Sequence, residues 1–348
     1  MTNKELTDKL KETSILSKDE FRQLTGSMNK DDEEYLYATA REVKEKYYGK
    51  DVFLRGLIEF SNFCKNDCYY CGIRRSNSHA ERYRLSKEEI LSAVEKGYEL
   101  SFRTFVLQGG EDLSYSDDDI CDIVRSIKEL YPDCAVTLSI GEKERKTYEK
   151  YFEAGADRYL LRHETANDVH YAKLHPAELS LENRKRCLRD LKEIGFQTGA
   201  GMMIGAPFQT LENLIEDLFY LKELEPQMVG IGPFIPHKDT PFKDEKAGKL
   251  EDTLHFLAII RLMLPKVLLP ATTALGTIDP QGREKGLRAG ANVIMPNLSP
   301  LNVRGKYLLY DGKICTGEEA AECSVCMKRR IESVGYRVMI SRGDAPGF

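Results

Sequence analysis

Hydrophobic positions along this chain alternate between two rhythms. Short apolar runs of strand length, VFLRGLIEF (52–60), TFVLQ (104–108), AVTLSI (135–140), RYLLRH (158–163), TGAGMMIG (198–205), MVGIGPF (228–234), VLLPATT (267–273) and NVIMP (292–296), recur from residue 52 onward. Between them lie segments with an apolar residue every three or four positions, among them SKEEILSAVEKGYEL (86–100), DDDICDIVRSIKEL (117–130), LENRKRCLRDLKEIG (181–195) and TLENLIEDLFYLKEL (210–224). Ser86 followed by Glu89 forms a capping-box pattern, and Gly195 closes its segment as a helix C-cap. Eight strand-like runs alternating with helices predict parallel βα units, hence an α/β protein, and the number eight favours a closed (β/α)8 TIM-type barrel. Chemistry then belongs at the C-terminal ends of the strands. Residues 1–49 read as a helical N-terminal extension, 50–300 as the barrel, and 301–348 as a small C-terminal extension.

Composition narrows the class. With 348 residues, 41% of them hydrophobic, the chain can bury one large core, and 51 Lys and Arg against 56 Asp and Glu leave a net charge of -5. That balance predicts no nucleic acid and no membrane partner, and points to a small-molecule substrate. MTNKELTDKLKETS at the start holds no apolar leader core, and no stretch reaches the roughly 18 apolar residues of a membrane span, so the expected location is cytoplasmic. Nine cysteines in such a chain suggest metal or redox chemistry in preference to a disulfide framework.

Residues 64–71 read CKNDCYYC and gather Cys64, Cys68 and Cys71 directly after the first strand-like run. Thiolates suit zinc or iron-sulfur clusters. A structural zinc site closes with four ligands, and no fourth Cys or His lies close by in sequence; a zinc knuckle with a distant fourth ligand is the competing reading. Three ligands on a cubane leave one iron open for a small molecule.

The C-x3-C-x-aromatic-C pattern, with Tyr70 as the aromatic, resembles the signature of the radical S-adenosylmethionine (SAM) superfamily. The resemblance implies a [4Fe-4S] cluster on the three cysteines and S-adenosyl-L-methionine bound to its open iron, reductive cleavage to a 5'-deoxyadenosyl radical, and Tyr70 beside the adenine. Gln108-Gly109-Gly110-Glu111 resembles the family's GGE element, which receives the methionine amino group, and Ser139 in LSIGE joins the cofactor-binding set. Arg162-His163-Glu164-Thr165 puts charge at a strand end, and Arg184 opens the following helix; Glu164 and Arg184 are the expected pair at the methionine end. His163 and His237 read as satisfied rim histidines.

A second group, CTGEEAAECSVC, brings Cys315, Cys323 and Cys326 beyond the last strand-like run, where a second [2Fe-2S] or [4Fe-4S] cluster or a zinc ion could sit. From about Val52 to Cys326, the segments CKNDCYYCGIRR, VLQGGED, LSIGE, DRYLLRHETAN, MVGIGPFIPH, PATTALGT and GANVIMPN, with the terminal cysteines, are similar to the HydE family of [FeFe]-hydrogenase maturases. That similarity implies an organometallic substrate, an iron precursor carrying carbon monoxide, cyanide and cysteine. It also implies other hydrogenase maturases as partners and a reducing electron donor. The implied cavity is lined by Gln108, Thr137, Arg158, Arg162, Thr272, Thr273, Met295, Tyr307 and Tyr310. Arg158 and Arg162 are four apart in one strand-like run, an even spacing that aims both to one side and suggests an anion pocket. The alternatives are a methylornithine-synthase-like or biotin-synthase-like radical enzyme, or a non-catalytic iron-sulfur carrier.

Overall fold

In the computed structural model, which describes every residue except 27, 318 and 319 and only the backbone of 320–323, the apolar runs become parallel strands. They are β1 (Asp51–Leu54), β2 (Gly56–Ser61), β3 (Thr104–Gly109), β4 (Ala135–Ser139), β5 (Arg158–Leu160), β6 (Gln197–Ala200), β7 (Met203–Ile204), β8 (Met228–Val229), β9 (Gly232–Pro233), β10 (Val293–Ile294) and β11 (Arg337–Met339). One parallel sheet runs β2-β3-β4-β5-β6-β8. Isolated bridges carry the ring onward: Met228 pairs with Leu268, Pro270 with Val293, and Asn297 with Leu57 of β2. The sheet thus returns to its first strand and closes as an α/β barrel. The run at 267–273 survives only as bridges, because Pro270 has no N–H to donate and Thr273 already begins the helix Thr273–Ile278.

Alternation along each strand sorts the side chains. Ile58, Phe60, Phe105, Leu107, Val136 and Leu138 belong to the core beneath the surrounding helices, while Leu57, Glu59, Gln108 and Ser139 face a central cavity. The helices Lys87–Glu99 and Asp117–Leu130 contribute Ile90, Ala93, Val94, Ile120, Ile123, Val124 and Ile127 to that core, each large side chain adding roughly 1.5–3 kcal/mol. Ser86 and Glu89 make the reciprocal capping box, and Gly195 caps its helix in the left-handed region at φ 110. The helices Asn3–Thr13, Lys18–Gly26 and Lys30–Tyr48 precede the barrel, the third packing along Leu250–Met263.

The C-terminal segment returns to the start of the barrel. β11 pairs in parallel with β1 (Asp51 with Arg337, Phe53 with Met339), and the residues after it plug the end of the barrel away from the cysteine loop. There the fully buried Arg158 donates from Nη2 to Asp344 Oδ1 and to the Arg342 carbonyl, both at 2.6 Å, and from Nη1 to Thr104 Oγ1 at 3.0 Å. Hydrogen bonds from Arg342 and Gln197 and the Arg158 charge outweigh burial and hold the Asp344 carboxyl at about 2. The expected place of Arg158 in the substrate cavity is therefore corrected: it is a floor residue, its charge committed to Asp344. Thr137, the register partner of Arg158, is likewise buried under the cavity and not on its wall.

Candidate functional site

A cavity of about 350 Å³ opens at the C-terminal ends of the strands. Its wall includes Cys64, Cys68 and Cys71, carried on the loop that follows β2. Backbone contacts tie this loop to the rim along its length. Lys65 N–H donates to the Glu111 carbonyl (2.9 Å), Tyr69 N–H to Leu174 (3.0 Å) and Gly72 N–H to Leu309 (2.9 Å). The Asp67 carboxylate accepts from Arg74 and from both the amide and hydroxyl of Ser76. Gly110 permits the approach of the neighbouring strand end, since a Cβ there would lie 2.2 Å from the Phe63 carbonyl oxygen and 2.8 Å from Cys64 Cβ.

All three cysteines are free thiols. Burial raises all three pKa values, that of Cys71 to about 12. They therefore keep their protons until a metal displaces them. Among the described residues no three His, Cys, Asp or Glu side chains converge closely enough to hold a single metal ion.

Around the thiols stand charged groups with unspent hydrogen-bonding capacity. Arg162 Nη2 lies 2.9 Å from Glu164 Oε2, and Arg184 Nε lies 2.6 Å from Glu142 Oε1. These are ion contacts by distance, but neither is aligned as a hydrogen bond. Glu111 contacts Lys65 Nζ at 3.1 Å and accepts from Glu142 N–H at 3.1 Å. Gln108, Gly109, Gly110, Glu111, Ser139, Glu164, Arg184 and Tyr70 all line the same cavity. Glu164 and Arg184, expected as a pair, share the cavity yet take different ionic partners. Glu142 is a neighbour that sequence reasoning missed.

The cavity is also lined by Arg162, Thr272, Thr273, Met295, Tyr307 and Tyr310. Gln108 Nε2 donates to the Tyr307 hydroxyl at 3.4 Å, and Thr272 Oγ1 is buried without a partner. Two further residues were overlooked in the sequence. Glu59 accepts from Lys313 Nζ at 2.6 Å and from Asn297 Nδ2 at 2.8 Å, and both Glu59 and Lys313 line the cavity. The alternation in VFLRGLIEF, which turns Leu57 and Glu59 the same way, was the available signal for Glu59; nothing local marks Lys313.

His163 is held at both nitrogens, Nε2 by Asp217 at 3.2 Å and Nδ1 by Gly201 N–H at 3.3 Å, as a satisfied rim histidine should be. In the second cysteine group, Arg283 directs Nη1 and Nη2 to Cys315 Sγ at 3.6 Å while donating to Thr273 Oγ1 at 3.1 Å. Cys326 is exposed. The side chain of Cys323 lies outside the described residues, so its meeting with Cys315 and Cys326 is not part of this geometry.

Residues 58–221 match the Radical SAM superfamily. The chain is 48% identical to the [FeFe] hydrogenase maturase subunit HydE of Thermotoga maritima, over 97% of this chain and 96% of that protein. It is 33% identical to the 3-methylornithine synthase of Methanosarcina acetivorans, over 86% and 85% of the two chains. Among solved structures, methylornithine synthase (PylB) superposes with a TM-score of 0.84 at 29% identity, covering 96% of this chain and 97% of that one. The [FeFe]-hydrogenase maturase HydG shares the fold with a TM-score of 0.82 at 21% identity, over 98% and 77%. No helix among the described residues is long and apolar enough to cross a membrane.

Proposed function

Because the chain belongs to the HydE family of the radical SAM superfamily, we propose that its barrel cavity is where a cysteine-held cluster and SAM act on an iron precursor of the [FeFe]-hydrogenase active site. The chain is a radical SAM enzyme of hydrogenase maturation, and the family implies a [4Fe-4S] cluster and SAM as its cofactors. The observation that carries the site assignment is the placement of three free thiols, Cys64, Cys68 and Cys71, on the wall of one cavity among buried charged groups whose hydrogen bonds are unaligned.

These residues fit the implied cofactors. Thiolates of Cys64, Cys68 and Cys71 supply a soft ligand set that leaves a fourth position open. When bound, the cluster and SAM supply a 5'-deoxyadenosyl radical by one-electron reductive cleavage. Glu111 and Glu164 offer carboxylates to an ammonium, Arg184 a guanidinium to a carboxylate, and the Gly109-Gly110 backbone a close approach. Tyr70 and Ser139, both lining the same cavity, are the residues we assign to the nucleoside. In the remaining volume, Gln108, Arg162, Thr272, Thr273, Met295, Tyr307 and Tyr310 receive the substrate. We take that substrate to be an iron complex of carbon monoxide, cyanide and cysteine. Donors from Arg162, the threonines and the tyrosines suit its cyanide nitrogen, and Met295 and the apolar wall suit its carbonyls.

This reading includes delivery of the precursor by another maturase, an external electron donor, and a second cluster on Cys315, Cys323 and Cys326 that is not needed for radical formation. A second reading, a mutase of a basic amino acid, is favoured by the similarity to 3-methylornithine synthase. The test is 5'-deoxyadenosine formation by the anaerobically reconstituted, reduced protein. The native chain should produce it and Cys64→Ala should not. Absence from the native protein with a full cluster would support an iron-sulfur carrier instead, and protection of the cavity by a free basic amino acid, not by an anionic iron complex, would favour the mutase.

A further inference from the structure

The segment Tyr171–His175, where the helix Asp168–Leu174 ends, touches the middle of the cysteine loop twice. Leu174 C=O accepts from Tyr69 N–H at 3.0 Å, and His175 Nε2 lies 3.2 Å from the Tyr70 hydroxyl. The direction of the second contact follows from what the other ring nitrogen touches. His175 Nδ1 is 3.0 Å from the Tyr171 carbonyl, which can only accept, so Nδ1 carries the proton and Nε2 is bare. Burial, with help from the nearby Arg184 charge, lowers the His175 pKa to about 3, so the ring is neutral at any working pH. The bare Nε2 therefore accepts from the Tyr70 hydroxyl. The Tyr171 ring stacks on His175 with centroids 3.9 Å apart and planes at 22°, and the Tyr70 ring meets His175 edge-on at 89°. These contacts hold the imidazole at both nitrogens and on one face.

We infer that His175 is a positioning residue for SAM: it holds the Tyr70 hydroxyl and so fixes the plane of that ring, which of the two aromatic rings between Cys68 and Cys71 is the one that lines the cavity. The inference rests on the radical SAM reading of that loop. His175 is remote in sequence from the cysteine motif and itself has no place on the cavity wall, so it acts through Tyr70. A ring already fixed loses no freedom when a nucleoside settles against it, which favours binding.

The experiment is a double-mutant cycle on the reconstituted protein, with SAM affinity read from the change that SAM causes in the EPR signal of the reduced cluster. His175→Phe keeps the stacking but removes the acceptor and should weaken SAM binding about tenfold, as should Tyr70→Phe. The double variant should be no weaker than either single one, because both remove the same bond. His175→Gln, whose amide oxygen can reach the Nε2 position, should restore affinity to within about threefold of native. In the unloaded protein, amide exchange across residues 67–72 should quicken in His175→Phe and return to native in His175→Gln.

Additive losses in the double variant, or a Gln variant as weak as Phe, would overturn the assignment while leaving the radical SAM reading intact. A native protein whose loaded cluster ignores SAM would sink both. If His175→Phe fails to take up iron, the Gln variant and Tyr70→Phe still decide by the same rule.

Discussion

Breaking the Glu59–Lys313 pair should release a segment of the cavity wall. Residues 305–317 supply Tyr307, Leu309, Tyr310 and Lys313 to the cavity wall. Lys313 Nζ reaches Glu59 at 2.6 Å, with side-chain exposures of 7% and 2%, and also donates to the Tyr307 carbonyl at 2.8 Å. In Lys313→Met the Glu59 carboxylate stays buried with Asn297 as its remaining donor. Removing one partner of such a pair costs about 3–5 kcal/mol. That is on the order of a hundredfold or more in the opening equilibrium of the segment. The reporter is the Gly72 amide, which donates to Leu309 C=O and sits where a Cβ would meet the Leu308 oxygen at 2.2 Å. Hydrogen exchange should show Gly72 losing protection in Lys313→Met. Urea unfolding of the same variant should register a smaller loss, if the segment opens before the barrel does. The double change Glu59→Gln with Lys313→Met removes both charges and should recover most of the stability. Gly72 as protected in Lys313→Met as in the native chain, or a double variant as unstable as the single one, would refute the reasoning.

Two further outcomes follow from buried charge. Lys44 is fully buried, its Nζ makes no hydrogen bond and stands 3.4 Å from the Tyr336 ring centroid, and burial lowers its pKa to about 7 despite Glu45. Between that value and its unfolded one near 10.4, the unfolded chain binds the extra proton, so stability should climb with pH by up to about 1.4 kcal/mol per unit; urea titrations from pH 7 to 9.5 should show this slope vanish in Lys44→Met. At the barrel floor, the lowered pKa of Asp344 contributes stability that is present above about pH 4 and lost as pH falls through about 2, so Asp344→Asn should destabilise the neutral protein by about 2 kcal/mol while leaving SAM affinity unchanged. A shift in SAM affinity would return Arg158 to the cavity.

Local pattern was enough for the elements and for a candidate ligand set. Strand-like runs alternating with capped helices announced parallel βα units, since hydrophobic period and cap chemistry act within a few residues. Three cysteines within eight positions after a strand needed no tertiary information to be read as a metal site, because the chain itself brings them together. Gly110, Glu111, Glu164 and Arg184 were legible as residues at strand ends or helix starts, though their pairings were not: Arg184 meets Glu142, and Glu164 meets Arg162.

Depth within the barrel was beyond the sequence. A period of two tells which side a residue faces but not which layer it occupies, and four residues at about 3.3 Å each separate Arg158 from Arg162 by about 13 Å along the strand direction. One therefore reaches the cavity while the other meets Asp344 on the floor, 186 positions away in the chain. Lys313 and His175 escaped notice for the same reason: each meets its partner only after the barrel has closed, at a separation of 254 positions from Glu59 and 105 from Tyr70. What the sequence by itself determined was the elements and the chemistry carried on a single loop. The tertiary structure decided which charges share a layer, because ring closure and strand stagger set that, and no local pattern encodes either.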